Sequence, residues 1–308
     1  MSGAIHSEEN FGIVVHGGAG VMSGLSEEKQ EQIQNKIRET VSQAYLILEE
    51  GGSSLDAVEL AVSILEDSPL FNAGRGSVYN SDEVQEMDAS IMDGKNRLTG
   101  AVASISIVKN PIKLARKVAE ETNHVLLVGE GAERFAKNIG IEIVDKEYFF
   151  HQERLQRALN SKKKTSKLNQ NLNKIGTVGA VALDKNGNIS AATSTGGMTN
   201  KMPGRVGDSP IIGSGTWAQN GVCGVSSTGH GEYFIKYQVA REVCVRIEYL
   251  NQSLNDSSES IINELNDIGA SGGLIAIDHK GNISTPFNTK GMIRGSQTNK
   301  TRLKSEIY

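Results

Sequence analysis

"KIGTVGAVALDKNGNISAATSTGG", residues 174–197, decides the fold. It begins where a polar, lysine-rich run ends and turns at once into a buried strand. "DKNGN" then offers Asn and Gly, residues that tolerate positive φ, and "ISAATST" reads as the return strand of a β-hairpin. A second segment, "GGLIAIDHKGNISTPFNT" (272–289), repeats the plan: an apolar strand, an Asp, two variable residues, then Gly-Asn-Ile-Ser.

Upstream, "FGIVV" (11–15) reads as a strand entering the glycine loop "HGGAG" (16–20). Ser26 is an N-cap, Glu27 and Glu28 suit a first helical turn, and Gly51 ends that helix. Its apolar face is Ile33, Ile37, Val41, Tyr45 and Leu48. A second helix runs from Ser53 or Ser54 to about Glu66, with Leu55, Val58, Ala61, Val62 and Leu65 on its stripe. The loop "DSPLFNAGRGSVYN" (67–80) precedes two strands, near 85–92 and 98–108. "NPIKLARKVAEET" (110–122) predicts a helix with Pro111 in its first turn, "HVLLVG" (124–129) a strand, and "EGAERFAKNIG" (130–140) a short helix.

Residues 152–174 turn polar; the first part continues a helix, and about 160–175 reads as a mobile linker. Beyond the hairpin lie a glycine-rich strand region (211–228) and helices over 232–250 and 254–266. Strands come in hairpin pairs and helices in runs. That predicts an α+β fold: two stacked, mainly antiparallel sheets covered by helices, in one domain spanning 1–308.

Composition narrows the function. The 308 residues are 38% hydrophobic and 22% charged, as in soluble globular chains, with 34 Gly and only 5 Pro. A formal net charge of −4 gives no footprint for nucleic acid. No apolar run reaches membrane-spanning length, and "MSGAIHSEEN" lacks the pattern of a secretory signal. The expected location is cytoplasmic. Cys223 and Cys244 have no metal-ligand spacing, and two reduced, buried thiols are expected.

Neither a P-loop, an HExxH nor a GxGxxG occurs. "GASGG" (269–273) matches GxSxG, but Ser271 follows a helix and precedes a strand, the reverse of a nucleophile elbow. His16 reads as an anchor for its glycine loop. His230, in "SSTGHGE", has no carboxylate and serine spaced to make a triad evident. Thr177 is different. It follows a polar linker, its predecessor Gly176 leaves a carbonyl open to attack, and the return strand can bring Thr195 near it. Cut between Gly176 and Thr177, the chain would carry a hydroxyl and an α-amine on one residue. That amine, with an unperturbed pKa of roughly 7.7–8.0, is a built-in base for a weak alcohol nucleophile.

The chain resembles the plant-type L-asparaginase / isoaspartyl aminopeptidase family of N-terminal nucleophile hydrolases, from about Phe11 to Gly295. The resemblance rests on "VVHGGAG", "LFNAGRGSV", "EMDASIMDG", "GAVA", "NPIKLAR", "GTVGAVALD", "ATSTGG", "GRVGDSP", "SSTGHGE" and "FNTKGMIRG", in that order. It implies an αββα sandwich and self-cleavage before Thr177, giving an α-subunit of residues 1–176 and a β-subunit of 177–308. It further implies a homodimer of αβ units. Thr177 would attack the side-chain amide of L-asparagine or the β-linked bond of a β-aspartyl dipeptide, through a β-aspartyl ester, with no cofactor for catalysis.

Carried over residue by residue, Thr195 matches the hydroxyl that tunes the nucleophile, and Thr228 with the N–H of Gly229 the oxyanion hole. Arg205 matches the grip on the substrate α-carboxylate and Asp208 the acceptor of its α-ammonium. Val206, Gly207, His230 and Gly231 fall in the same substrate loops, and Asn72 matches a loop residue close to the nucleophile. Main-chain carbonyls of Leu65, Glu66, Ser68, Phe71, Ala73 and Arg75 match a structural sodium loop. Arg75 and Trp217 depart from residues common in relatives, which leaves side-group preference open. Glycosylasparaginases and taspase-type endopeptidases usually carry Asp where Gly176 stands. A non-catalytic amino-acid-binding homologue is disfavoured by the intact set Thr177, Thr195, Arg205, Asp208 and Thr228.

Overall fold

Residues 9–20, 22, 24–163 and 176–308 are described by a computed structural model. In chain order the first half comprises β1 (Gly12–Gly20), α1 (Glu27–Glu49), α2 (Ser54–Glu66), β2 (Met87–Asp93), β3 (Thr99–Ile105), α3 (Pro111–Glu121), β4 (Leu126–Val128), α4 (Gly129–Asn138), α5 (Lys146–Phe149) and α6 (Gln152–Lys163). The second half comprises β5 (Val178–Leu183), β6 (Ile189–Thr195), β7 (Thr216–Gln219), β8 (Cys223–Gly229), α7 (Gly231–Tyr237), α8 (Val239–Leu250), α9 (Leu254–Asp267), β9 (Gly272–Asp278), β10 (Ile283–Ser284), β11 (Gly291–Thr298) and β12 (Thr301–Glu306). Residues 164–175, with most of the expected linker, lie outside the described residues.

The repeated hairpin sequence builds the same turn twice. Asp184 Oδ1 accepts from the N–H groups of Asn186 and Asn188, each at 2.9 Å, and Gly187 takes φ +78°. Asp278 Oδ1 accepts from Lys280 and Asn282 at 2.8 and 2.9 Å, and Gly281 takes φ +81°. An Asp that holds its own turn, followed by a glycine in the left-handed region, is why D-x-x-G-N recurs.

The first hairpin, β5–β6, lies at the centre of an eight-stranded sheet of order β12-β11-β1-β5-β6-β2-β3-β4, antiparallel except at β3–β4. The second lies in a four-stranded antiparallel sheet, β10-β9-β8-β7. Helices α1, α2 and α3 cover the outer face of the large sheet, α8 and α9 that of the small one, and the sheets pack on each other. The architecture is the expected αββα sandwich. Two cores result. One, between helices and large sheet, takes Ile37, Val41, Val58 and Val62 against Val178, Ala180 and Ala182. The other, between the sheets and under α8 and α9, takes Val181, Leu183 and Ile189 against Val225, Ile275 and Ile277.

Helix ends follow local chemistry. Ser26 and Ser53 each accept from the N–H three residues on, at 3.2 and 3.1 Å, as an N-cap should. The helix expected over 232–250 is two. Gln238 sits at φ +50°, and the first N–H groups of α8, on Ala240 and Arg241, donate to Ser214 and Gly213 at 3.1 and 2.8 Å. Those donors are taken by a neighbouring loop, so α7 and α8 do not merge.

The two free thiols expected at Cys223 and Cys244 are also corrected: they form a disulfide between β8 and α8, with Cα atoms 5.6 Å apart. Packing of α8 on β8 creates that proximity, and a separation of 21 residues does not reveal it. Beyond Gly295 the chain pairs as β11–β12 at the edge of the large sheet. Among the described residues, no helix is long and apolar enough to cross a membrane.

Ile37 is fully buried and rests on Gly295 of β11, so it couples α1 to the sheet. Ile37→Ala is expected to cost about 2–5 kcal/mol and Ile37→Val about 1 kcal/mol, read as urea-unfolding free energies. Equal, negligible losses would show that α1 contributes no core packing there.

Candidate active site

The β5–β6 ladder runs from Leu183 opposite Ile189 to Val178 opposite Ser194. One step further, Thr177 stands opposite Thr195. Alternation puts odd-numbered side chains of this hairpin toward the small sheet and even-numbered ones toward the helices. Thr177 and Thr195 therefore share the inter-sheet face, and Thr177 Oγ1 donates to Thr195 Oγ1 at 3.1 Å. The N–H of Gly197 donates to Thr195 Oγ1 at 2.9 Å. Asn72 secures that turn: its Nδ2 donates to Gly197 O at 2.7 Å and its own carbonyl accepts from Gly196 at 3.0 Å. Its Oδ1 accepts from Val78 N at 3.0 Å, which braces the 67–80 loop that holds the turn.

Gly176 runs close to Gly18. Gly18 has φ +105°, and a Cβ there would lie 2.6 Å from Gly176 Cα. A Cβ on Gly176 would itself meet Thr228 Oγ1 at 2.8 Å. Only bare backbone passes here, directly beneath the Thr228 hydroxyl, which accepts from Ala19 N at 3.3 Å. One cleft gathers Asn72, Gly176, Thr177, Thr195, Thr228 and Gly229, together with Arg205, Gly207 and Asp208.

The same cleft carries charge. Arg205 donates through Nε to Glu232 Oε1 at 3.0 Å, and its Nη2 lies 2.9 Å from the same oxygen. Asp208 is buried, and its Oδ2 has no hydrogen-bond partner. Burial pushes its carboxyl up to about 7, against the pull of its own backbone N–H and the Arg205 charge. Gly231 lies behind this pair: a Cβ there would stand 2.9 Å from both Arg205 Nη2 and Asp208 Oδ1. Val206, His230 and Gly231 are not among the residues lining the cleft. His230 instead opens α7, its N–H donating to Ser271 O at 3.0 Å, which leaves Ser271 in a turn outside the cleft.

A buried hydroxyl layer between the sheets escaped sequence reasoning. His16 Nε2 contacts Ser226 Oγ at 3.0 Å, Ser226 contacts Thr193 Oγ1 at 2.7 Å, and Thr216 Oγ1 donates to Thr193 at 2.6 Å. Ser90 Oγ lies within hydrogen-bond distance of Thr216 Oγ1 and of Ser209 O, at 2.8 and 2.6 Å. His16 is wholly buried, which lowers its pKa to about 3 although a Thr177 backbone hydrogen bond pulls the other way. It is neutral at physiological pH and serves this layer. Strand Ser and Thr at inward positions were the available signal, and they read simply as strand formers.

The expected sodium loop leaves the C-terminal end of α2. Leu65 O accepts from Ser68 N at 3.3 Å, Ala73 O from Gly76 N at 3.0 Å, and Phe71 O from Arg154 Nη2 at 3.0 Å. Each carbonyl keeps a second lone pair. The side chain of Glu66 turns inward, accepting from Ser194 Oγ at 2.6 Å and Ile112 N at 3.0 Å, with burial raising its pKa to about 8. Arg75 lies 5.6 Å from the Tyr148 ring centroid, and Trp217 packs against Arg97 and Arg241. Neither lines the cleft; Arg154 and Arg157 of α6 do, on the helical first part of the polar 152–174 run.

An αββα sandwich whose central strand opens on a buried threonine beneath a cleft has the architecture of the N-terminal nucleophile hydrolases. More narrowly, the chain belongs to the asparaginase family: the family model described as "Asparaginase" matches residues 9–306. It is 46% identical to the isoaspartyl peptidase of Escherichia coli (strain K12), over 92% of this chain and 91% of that one. The isoaspartyl peptidase of Salmonella typhimurium is also 46% identical, over 92% and 93%. The isoaspartyl peptidase/L-asparaginase of Xenopus laevis is 45% identical, over 91% and 90%.

Asp208 makes the site testable without substrate. Its carboxyl, raised from 3.8 to about 7, binds its proton more tightly folded than unfolded. The stability it contributes is therefore full below about pH 4 and is lost as pH rises through about 7. Asp208→Asn, always neutral, should gain on the wild type by on the order of 2–4 kcal/mol between pH 4 and pH 8. Calorimetric melting of both proteins across that range checks this; a constant difference would contradict it.

Proposed function

We propose that this protein is a self-processing amidohydrolase that releases ammonia from L-asparagine and cleaves β-aspartyl dipeptides. The observation carrying the reading is one cleft that holds the Thr177–Thr195 hydroxyl pair together with Arg205 and Asp208. A hydroxyl nucleophile that shares a cleft with a guanidinium and a carboxylate suits a substrate with an amide at one end and an α-amino acid zwitterion at the other. The names of the relatives point to the same substrates.

Processing comes first. Thr177 Oγ attacks the Gly176 carbonyl carbon, the acyl group moves from nitrogen to oxygen, and water hydrolyses the ester. Gly176 becomes a carboxylate, Thr177 acquires a free α-amine, and residues 1–176 and 177–308 become the two subunits. In turnover the α-amine takes the Oγ proton as Oγ bonds to the side-chain amide carbon of the substrate. The negative oxygen is received by the Thr228 hydroxyl and the Gly229 N–H. The proton passes to the departing nitrogen, the C–N bond breaks, and a β-aspartyl ester remains. Water then releases aspartate and restores the threonine. Thr195 orients Oγ, and Asn72 acts through the turn that carries Thr195.

The carbonyls of Leu65, Glu66, Ser68, Phe71, Ala73 and Arg75 would hold a sodium ion that braces this loop. The negative end of the α2 dipole and an all-oxygen donor set support that assignment. Replacing sodium by choline should lower the melting temperature by a few degrees; an unchanged value removes the ion from the proposal. A homodimer of αβ units and a cytoplasmic location complete the reading. The Cys223–Cys244 bond weighs against the location, because reducing compartments seldom keep such bonds.

Intact-mass measurement tests the central claim. Purified protein should yield two polypeptides divided between Gly176 and Thr177, and Thr177→Ala should remain whole and inactive. Processed protein should release ammonia from L-asparagine and leucine from β-Asp-Leu, and Arg205→Ala should lower kcat/KM on the order of 10²-fold. A single full-length mass without amidase activity would sink the proposal.

A further inference from the structure

Among the described residues, four ionic side chains line the cleft: Arg154, Arg157, Arg205 and Asp208. Two are assigned above to the zwitterionic head of the substrate. Arg154 is buried and engaged, its Nη2 reaching the carbonyls of Pro69, Leu70 and Phe71 at 3.4, 3.4 and 3.0 Å. Arg157 lies three residues along α6, on the same helical face, and its side chain is half exposed. Its ion pair with Glu153 is 3.9 Å long, between side chains 53% and 75% accessible, so solvent screens it heavily. The base of Arg157 is nevertheless fixed. Helix α6 is tied by Arg154, by His151 N donating to Tyr79 Oη at 3.2 Å, and by Lys162 to Glu83 at 2.8 Å.

Asparagine carries one carboxylate and one ammonium, which Arg205 and Asp208 satisfy. A β-aspartyl dipeptide carries a second carboxylate, at the C-terminus of the amino acid that leaves. We infer that Arg157 receives this second carboxylate, which makes it a specificity-determining residue for β-aspartyl dipeptides with a free C-terminus. This rests on the proposed function and deepens it. A guanidinium suits the role because its planar fork matches a carboxylate, and an exposed position lets the leaving amino acid depart. It adds attraction for a substrate of net charge −1 that a neutral zwitterion does not feel.

The test compares β-Asp-Leu with its C-terminal amide, which differs only by that charge. In the wild type kcat/KM should favour the acid about five- to tenfold. Arg157→Gln should bring the ratio to about one, Arg157→Lys should retain part of the preference, and about 0.5 M salt should erode it in the wild type. Intact mass establishes that each variant has processed normally. A ratio unchanged in Arg157→Gln, or a wild-type ratio at or below one, overturns the inference while leaving the amidohydrolase reading intact. A processed wild type that cleaves neither substrate overturns that reading and, with it, this one.

Discussion

The turn at Asp184 fixes which face of a central hairpin Thr177 occupies, and the site depends on that choice. Both faces of β5 and β6 are buried, so hydrophobicity does not distinguish the two registers. In a sheet with one wet face, a one-residue slip exposes the core and is rejected on that ground. Here it would exchange one apolar face for another. The constraint must come from the turn, where Asp184 holds the N–H groups of Asn186 and Asn188 and also receives Ser54 N at 3.1 Å. That last bond seats the start of α2 on the hairpin. A slip would carry Thr177 to the helix side, among neighbours such as Val58 and Val62, away from Thr195 and the cleft.

The inter-sheet face is kept open for chemistry by small polar side chains. Buried hydroxyls are tolerated only when paired, and those of Ser90, Thr193, Thr216 and Ser226 are paired mainly with one another. His16 ends the chain of contacts and is held neutral by its burial. The layer also needs absent side chains: a Cβ on Gly179 would lie 2.5 Å from His16 Nε2. Its other end reaches the Ser209 carbonyl, next to Asp208. Strand β6, which carries Thr195, and the loop that carries Asp208 are thus joined through one hydrogen-bonded layer, which limits their relative movement.

Much of this was legible because local rules act alone at several points. The caps at Ser26 and Ser53, the paired D-x-x-G-N turns and the apolar stripe of α1 each require only a few adjacent residues. The Thr177–Thr195 pairing was legible for the same reason, since a hairpin is a local structure. What escaped needed distant partners. Gln238 breaks a helical run because Ser214 and Gly213 capture the next donors, and nothing near Gln238 announces them. Cys223 and Cys244 meet only through the packing of α8 on β8. Arg154 lies in a run rich in Lys, Asn and Ser, yet it is buried because the carbonyls of Pro69, Leu70 and Phe71 converge on it. The hydroxyl layer draws on five strands and no single window contains it.

Under the proposed function, the two ends of the zwitterion meet groups in different states. Arg205 already holds Glu232, whose side chain is 53% accessible, so a substrate carboxylate exchanges one partner for another with little desolvation. Asp208 is the opposite case: buried, with an oxygen lacking a partner and a carboxyl poised near neutrality. An α-ammonium placed against it favours the ionised form and lowers its pKa. Binding below about pH 7 is then coupled to loss of a proton from Asp208, and the affinity for a zwitterion rises with pH over the same range in which the empty cleft loses stability. The charge that destabilises the unliganded fold is the one that the ammonium neutralises. Selectivity for an α-amino acid head group is thereby built from a deficit in the empty site as well as from contacts in the filled one.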